Sequence, residues 1–559
     1  MTGVKQPVDD GAPWHEPSHV TRVRQDVQAD IVLRNGKVFR GLHGGLTDAL
    51  ALGGGKVLAL GEAALDAVGP GTRVLDLGGR LAIPAFNEAH MHLLPFGLGL
   101  RQVNLRAEEV RSLDEALRRL KEAAATTPKG EWVLGRGYDH TALDVGRHPD
   151  VAELDAAVPD HPVFIVRTCG HMGVANTAAL RLSGIGHNTP DPEGGVIERA
   201  AGRLTGLIQE RAMRLVKEAM PPPTRAAMVE AIEAAGDHLA ALGFASATDM
   251  NVGMTADMEE VAAYREAALR QRMWMVLAGN PEGIADAAWD AGMRPWLPGD
   301  DPQAMLRWGA VKVFADGSAG GLTAAFFEPY LTADTHGVFT FPTPSIHALL
   351  AKFHAQGWQL DIHAIGDAAI EQVLSGMEAA GATPDRRHRI EHCGFVTPGQ
   401  RARMLARGIL PVPQPSFMRE FGETYLRVLG AERAMRAYPM KTWLEEGAHP
   451  SASTDSPVCS VDPFANLHAM VTRETAEGRV MGAEERLTMA EALHCYGWCG
   501  AYSTFAEAVR GTLEPGMDAD VAVLDTDLFA EGADILRARC DVTLRGGAVI
   551  HDRRGEMPA

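Results

Sequence analysis

The sequence predicts an α/β fold: a (β/α)8 barrel of the TIM type, joined to a small β-sandwich domain built from both chain ends and carrying an insertion after the first barrel strand. Three observations lead there. Short β-type runs separated by Asn-Gly and Gly-Gly turns occupy both termini, strand-like runs alternate with helical patterns between them, and one stretch with its own β run is surplus to that alternation.

The first 28 residues are rich in Pro and polar side chains and are expected to form a flexible arm. Order should begin near Ala29, with Ile31-Val32-Leu33, Lys37-Val38-Phe39, Ala49-Leu50-Ala51-Leu52 and Val57-Leu58-Ala59-Leu60 separated by Asn35-Gly36 and Gly53-Gly54-Gly55. The same grammar returns in Val521-Ala522-Val523-Leu524, Val542-Thr543-Leu544 and Val549-Ile550, so residues 29–80 and 511–559 are expected to make one composite β domain. Residues 81–510 read as the barrel. Leu81-Ala82-Ile83 reads as its first strand. Phe244-Ala245-Ser246-Ala247, Met273-Trp274-Met275-Val276, Ala310-Val311-Lys312-Val313-Phe314, Gln359-Leu360-Asp361-Ile362-His363, Arg389-Ile390-Glu391-His392, Ile409-Leu410-Pro411-Val412 and Ser451-Ala452-Ser453 complete eight.

Helices are expected between them. One follows Ser112, with Glu115 placed for a capping box and Leu113, Ala116, Leu117, Leu120 and Ala124 on one face. Another starts near Thr224, carries Met228, Ile232, Leu239 and Leu242, and stops at Gly243. The stretch from about 130 to 215, with Val163-Phe164-Ile165-Val166 inside it, reads as the insertion.

Composition narrows the function. With 53 Lys+Arg against 72 Asp+Glu the formal charge is −19, which argues against a nucleic-acid partner. No apolar run approaches the roughly 20 residues of a membrane span. Asp9, Asp10, His15 and Glu16 interrupt the start where a secretory signal needs an apolar core, so a soluble, cytoplasmic enzyme is expected. Cys169, Cys393, Cys459, Cys495, Cys499 and Cys540 are few for the length, and no disulfide is expected. Cys495 and Cys499 read as small core residues, since no second pair completes a zinc knuckle.

In a barrel of this kind the reactive groups belong at the C-terminal ends of the strands. Metal-type ligands occupy those places: His90 and His92 after the first strand, Lys312 on the fourth, His363 closing the fifth, His392 closing the sixth and Asp455 just past the eighth. The His90-Met91-His92 pair alone carries little weight, because 21 His in 559 residues give about 0.8 such spacings by chance. Its context adds weight: residues two apart in an extended segment face the same side and can reach one ion. A purely structural pair is the alternative.

Pro84-Ala85-Phe86-Asn87-Glu88-Ala89-His90-Met91-His92 resembles the P-G-F-x-D/E-x-H-x-H signature of the amidohydrolase superfamily. Lys312-Val313-Phe314-Ala315-Asp316-Gly317-Ser318, His363-Ala364-Ile365-Gly366-Asp367, Arg389-Ile390-Glu391-His392 and Ser453-Thr454-Asp455-Ser456-Pro457-Val458 are similar to motifs of its YtcJ-like branch, amidohydrolase family 3. Gly511-Thr512-Leu513-Glu514-Pro515-Gly516 resembles the return into the terminal domain, and the likeness runs in order from Ala29 to Ile550. Ala85 replaces the usual Gly. Gly320-Gly321-Leu322 stands where a polar or basic residue is more usual, which bears on substrate choice.

The resemblance implies a divalent metal centre of one or two ions, zinc being the first expectation. His90, His92 and Asp455 would hold one ion, His363 and His392 the other, with Lys312 carboxylated on its amine and bridging the two. Chemistry requires that modification: an ammonium with pKa about 10.4 cannot ligate a cation, whereas a carbamate offers two anionic oxygens. The alternative for Lys312 is a buried ion pair with Asp316 or Asp361. A divalent ion brings the pKa of a water to about 7, and Asp455 is placed as the general acid/base for it, unless it serves only as a turn former. His171 resembles a G-H element of this branch and reads either as a catalytic group polarising the substrate carbonyl or as a loop or core histidine. Phe417, Met418, Tyr438 and Trp498 read as pocket wall or as core.

The expected activity is metal-dependent hydrolysis of non-peptide C–N bonds, in N-acyl, N-formyl or cyclic amides. The partner is a small neutral or cationic amide substrate, with a homodimer as the assembly considered and neither nucleic acid nor membrane involved. A heterocycle deaminase is the alternative enzyme; relatives of that kind place H-x-x-E on the fifth strand, whereas His363 is followed by Ala364-Ile365-Gly366. A metal-free ligand-binding member is the other alternative, and the filled ligand positions argue against it.

Overall fold

The computed structural model describes residues 28–557 apart from 108, 168–171 and 193. Seven parallel strands form its centre: β1 (Phe86–Met91), β2 (Phe244–Val252), β3 (Arg272–Ala278), β4 (Leu306–Phe314), β5 (Gln359–Ala364), β6 (Arg389–His392) and β7 (Leu410–Val412), paired in sequential order. Their residues are buried almost without interruption, as parallel strands covered on both faces require, and β3 (RMWMVLA) has no exposed position.

The eighth place is filled by residues 451–456, which are too irregular for a full ladder but bond to both flanks. The Ser451 N–H donates to the Pro411 carbonyl (3.2 Å), that of Asp455 to the His90 carbonyl (2.8 Å), and that of His92 to the Ser456 carbonyl (2.8 Å). The barrel is therefore nearly closed, with the closing segment delivering Asp455 to the end of β1. Helices such as Arg225–Ala241, Thr343–Ala355 and Asp367–Ala379 surround it. The Thr224 hydroxyl caps the first of these by accepting from the Ala227 N–H.

One strand sits elsewhere than the sequence suggests. Leu81–Pro84, read as the first barrel strand, pairs with Lys37–Phe39 and with Val521–Leu524 in a six-stranded sheet of the terminal domain. The true first strand begins two residues later: the Ala85 N–H bonds to the Asp520 carbonyl (3.0 Å), while the next, Phe86, bonds to the Gly243 carbonyl (2.9 Å). The chain thus changes sheets at Ala85. Every residue from Leu81 to Met91 is buried, so hydrophobicity gives no mark of the change.

That six-stranded sheet joins both chain ends, and a four-stranded sheet of Lys56–Leu60, Leu50–Gly53, Ile31–Arg34 and Arg73–Asp76 packs with it over a shared core including Leu33, Val38, Leu50, Val521 and Leu544. The unit inserted after β1 has its own six-stranded sheet. It takes in Val103–Asn104 and the helix Leu113–Thr126, whose Ala116 and Leu120 pack with Val133 and Val163, so it reaches ahead of residue 130. The Ser112 hydroxyl accepts from the Glu115 N–H (3.3 Å) at the start of that helix. Among the described residues no helix is long and apolar enough to cross a membrane.

Candidate metal centre

Strand ends and the closing segment bring the site together. His90 lies on β1 and His92 just beyond it, their ring centroids 5.7 Å apart. The Asp455 Oδ1 stands 3.3 Å from His90 Nε2 and 3.1 Å from His92 Nε2. His392 closes β6 with its ring centroid 4.9 Å from that of His90 and 4.4 Å from that of His363, which lies on β5. One ligand atom each from His90, His392 and Asp455 falls within 4.8 Å of the others, and all three residues are buried. His392 (φ 67°) and Asp455 (φ 56°) adopt the left-handed backbone that non-glycine residues avoid, a conformation that surrounding structure must enforce.

Three of the four rings are anchored in the same sense. His90 Nδ1 meets Glu391 Oε2 (2.6 Å), His92 Nδ1 the Met250 carbonyl (2.9 Å), and His392 Nδ1 the Gln414 Oε1 (2.6 Å). Those oxygens only accept, so each ring donates from Nδ1 and keeps its Nε2 lone pair for the cluster. His363 is tied at the other nitrogen, its Nε2 donating to the Gly317 carbonyl (3.1 Å) with Asp316 Oδ1 at 3.2 Å. Burial, and then the nearby Lys312 charge, depress the pKa of His90. Burial, with the rings of His363 and His90 adding to it, holds His392 well below the ordinary range. Burial opposes the charge of Asp455, but His90 and His92 outweigh it and keep the carboxyl well below the usual carboxylate range.

Lys312, on β4, is 1% exposed, and its amine has no hydrogen-bond partner. Neither aspartate considered as its ion-pair partner bonds the amine: Asp316 is engaged elsewhere, whereas both oxygens of Asp361 are themselves without a hydrogen-bond partner. Asp316 accepts from the N–H groups of Ala325, Ile365 and Gly366 at 2.9–3.1 Å. Asp361 faces Arg389 Nε at 3.5 Å, and burial pushes its carboxyl up to about 7. Burial draws the Lys312 amine down against the pull of Glu391, Asp455 and Asp361, which favours the uncharged, nucleophilic form that carboxylation requires.

The donor set fits a cation. His90 Nε2 and Asp455 Oδ1 are buried atoms without a hydrogen-bond partner, and both offer lone pairs. Lys312 fits only once its amine carries a carboxylate.

Residues that the sequence reading passed over hold these groups. Glu391 is gripped by Arg389, through Nε at 2.7 Å and Nη2 at 3.1 Å, while Nη2 also reaches the Ala89 carbonyl at 2.7 Å. Glu88 clasps β1 to the closing segment: Oε1 accepts from the N–H groups of His90 (3.2 Å) and Thr454 (2.9 Å), and Oε2 from the hydroxyls of Tyr496 (2.9 Å) and Thr454 (3.2 Å). Asp249 on β2 accepts from the Leu93 N–H (2.9 Å) and from the Tyr264 hydroxyl. Glu88 and Glu391 both stand inside the quoted motifs, which is the one signal that could have found them.

Phe417 stacks on His392 with centroids 5.8 Å apart and packs with Met418 and Tyr438 in a second apolar cluster. Trp498 lies at the other end of the barrel, against His449, His494 and Tyr502, in a helix whose Gly500 abuts Asn87 near the start of β1. Cys495 and Cys499 are buried free thiols. His171 lies outside the described residues.

The sequence model of the Amidohydrolase family matches residues 73–551. The chain is 29% identical over 491 residues to YtcJ of Bacillus subtilis (strain 168), spanning 87% of this chain and 91% of that protein. It is 29% identical over 500 residues to the N-substituted formamide deformylase of Arthrobacter pascens, spanning 86% and 90%. The crystal structure of an uncharacterized metal-dependent hydrolase from Pyrococcus horikoshii OT3 superposes with a TM-score of 0.73 at 29% identity, covering 90% of this chain and 98% of that one.

Proposed function

The chain belongs to the amidohydrolase family, and we propose that it hydrolyses the C–N bond of a small non-peptide amide, an N-formyl or N-acyl amide or a cyclic amide. The observation that carries this reading is the meeting of Asp455 with the Nε2 atoms of His90 and His92, in a buried site where His90 Nε2 and Asp455 Oδ1 have no hydrogen-bond partner. His90, His92 and Asp455, with His392 and His363 opposite, would hold one or two divalent ions, zinc first, and Lys312 would bridge them once carboxylated. Such an ion supplies a water of lowered pKa and a Lewis-acid contact for a carbonyl oxygen.

The remaining work falls to the protein's own side chains. Asp455 takes the proton of the attacking water and returns it to the leaving nitrogen, as a general acid/base must. Its backbone bond to His90 keeps the carboxylate in place while the proton moves. Glu391, Gln414 and the Met250 carbonyl fix the histidine tautomers, so no ring must reorient during turnover. Phe417, lying flat against His392, keeps solvent from that side of the cluster. The likeness to a relative named for N-substituted formamide deformylation supports the choice of an amide, and of a formamide first.

The test is a panel of N-formyl, N-acyl and cyclic amides given to metal-replete protein and scored for amine release, run beside Asp455→Asn. That variant keeps its shape but cannot take up a proton, so it should retain metal while kcat falls by about 10²–10⁴. Undiminished turnover in Asp455→Asn would make Asp455 a turn residue and the mechanism wrong. Ammonia release from amino-heterocycles with no amide cleaved would make the enzyme a deaminase.

A further inference from the structure

The opposite end of the barrel holds a second buried charged cluster, which the proposed reaction does not use. Arg272 opens β3, Arg307 is the second residue of β4, and Arg510 lies on the connection into the terminal domain; they are 6%, 2% and 3% exposed. Asp518 and Asp520, which lead into the strand Val521–Leu524, are the buried carboxylates that face Arg272 and Arg510.

Both carboxylates are already committed. Asp520 takes both its oxygens to Arg272 Nη1 (2.9 and 2.7 Å) and also accepts from the Gly546 N–H (2.6 Å). Asp518 accepts from Lys56 Nζ (2.7 Å) and from Gln303 Nε2 with both oxygens (2.9 Å). Arg510 is left with one bond, from Nη2 to the Pro302 carbonyl; its Nε stands 3.6 Å from Asp518, and neither Nε nor Nη1 has a hydrogen-bond partner. Arg307 bonds the Thr504 carbonyl through Nη1 (2.7 Å), and its Nε has no partner. Its other neighbours are the rings of Trp274 and Trp296 at 5.0 and 5.2 Å, and Trp274 Nε1 is a further buried donor without an acceptor.

Three buried guanidinium charges therefore stand in a cluster with two buried carboxylates, neither of which pairs with Arg307, and each of the atoms just named as lacking a partner is an N–H donor. Lys56 adds to the positive side. Asp301 offers little relief, being exposed and engaged with the Gln303 N–H (2.8 Å). Burial first, then repulsion from neighbouring arginines, draws Arg307 down to about 9 and Arg510 to about 10. Among the described residues Arg307 has no carboxylate within ion-pair distance and Arg510 has only Asp518 at 3.6 Å; buried guanidinium groups so weakly paired are costly, and their unfilled N–H donors call for an acceptor.

We propose that a small monovalent inorganic anion of the halide class binds between Arg307 and Arg510 at the base of the barrel, and that it pins the terminal β domain to the barrel there. One negative charge balances the excess of one among the buried groups, the partly exposed Lys56 being open to solvent, and a spherical acceptor suits donors that arrive from separate elements. Because Arg307 belongs to the barrel and Arg510 to the connection leaving it, occupancy ties the two units together in the folded state only.

Full-length protein crystallised from sodium bromide should show an anomalous scattering peak in contact with Arg307 and Arg510. In solution, replacing gluconate by chloride at constant ionic strength should raise the Tm by on the order of 2–4 °C. Arg510→Met, which removes two of the free donors, should abolish that rise. Ordered water without anomalous signal, or the Asp301 carboxylate turned into the gap, would overturn the anion site, and this map needs no variant that must fold. A bromide peak with a halide-independent Tm in the wild type would overturn the pinning role.

Discussion

Two buried clusters, one at each end of the barrel, leave different kinds of atom unsatisfied. At the C-terminal ends, the ring nitrogen of His90 and the carboxylate of Asp455 present lone pairs, and the positions of the histidine protons are fixed by Glu391, Gln414 and a backbone carbonyl. At the N-terminal ends, Arg307 and Arg510 present N–H groups. Burial alone says only that a partner is required; the sign of the unfilled valence says which partner. By that rule we read the upper cluster as a cation site and the lower as an anion site, and Lys312, a donor at the cation end, would have to change its chemistry to serve as a ligand there.

The largest expected effect concerns that misplaced donor. Lys312→Ala should lose metal and reduce turnover on the order of 10³-fold, several kcal/mol of transition-state stabilisation. Acetate or propionate supplied to the variant should occupy the space and restore part of both, read as metal content and amine release. A lysine that only packed against Phe314 would give a variant with normal metal content and no response to small acids.

A smaller effect is expected one bond further out. Glu391→Gln keeps the volume but weakens the grip on His90 Nδ1 and leaves Arg389 with Asp361 as its one close carboxylate, so metal affinity should fall about 10–100-fold in a chelator competition. Unchanged affinity would show that the His90 tautomer needs no carboxylate. The fold should survive, because Arg389 keeps its bond to the Ala89 carbonyl.

The smallest effect belongs to the base of the barrel and is linked to protons. His388, just before β6, is buried, accepts from the Leu360 N–H through Nδ1 (3.0 Å) and donates through Nε2 to His354 (2.8 Å). Burial, then the charges of His354 and Arg386, hold it well below 6.5. It is therefore neutral in the fold while the unfolded chain takes up a proton below 6.5, so its contribution is complete above that pH and is lost as pH falls. Denaturant melts should show roughly 2 kcal/mol more loss between pH 6.5 and 5 in wild type than in His388→Gln. Parallel curves would place the titrating group elsewhere.

What the sequence made legible follows from where the information sits. The barrel could be read because each strand is a short apolar run bounded by turns, and the candidates His90, His92, Lys312, His363, His392 and Asp455 could be read because each stands at or near a strand end. The start of the barrel could not, since Leu81 to Met91 is buried throughout and the change of sheets at Ala85 is a matter of hydrogen-bond partners. The supporting carboxylates were hidden for another reason: Glu391 meets His90 across 301 residues and Glu88 meets Thr454 across 366, contacts that exist only when the barrel has closed. The arginines of the base were hidden likewise, because an excess of positive charge among Arg272, Arg307 and Arg510 is invisible until β3, β4 and the terminal domain meet.

The central claim, that the upper cluster is a cation site, is tested most directly by the metal content of purified protein beside the His90→Ala/His92→Ala double variant. The wild type should hold one or two divalent ions per chain, and the variant should remain folded and soluble with its metal lost. A soluble double variant that keeps the full metal content of the wild type would contradict the assignment of the site.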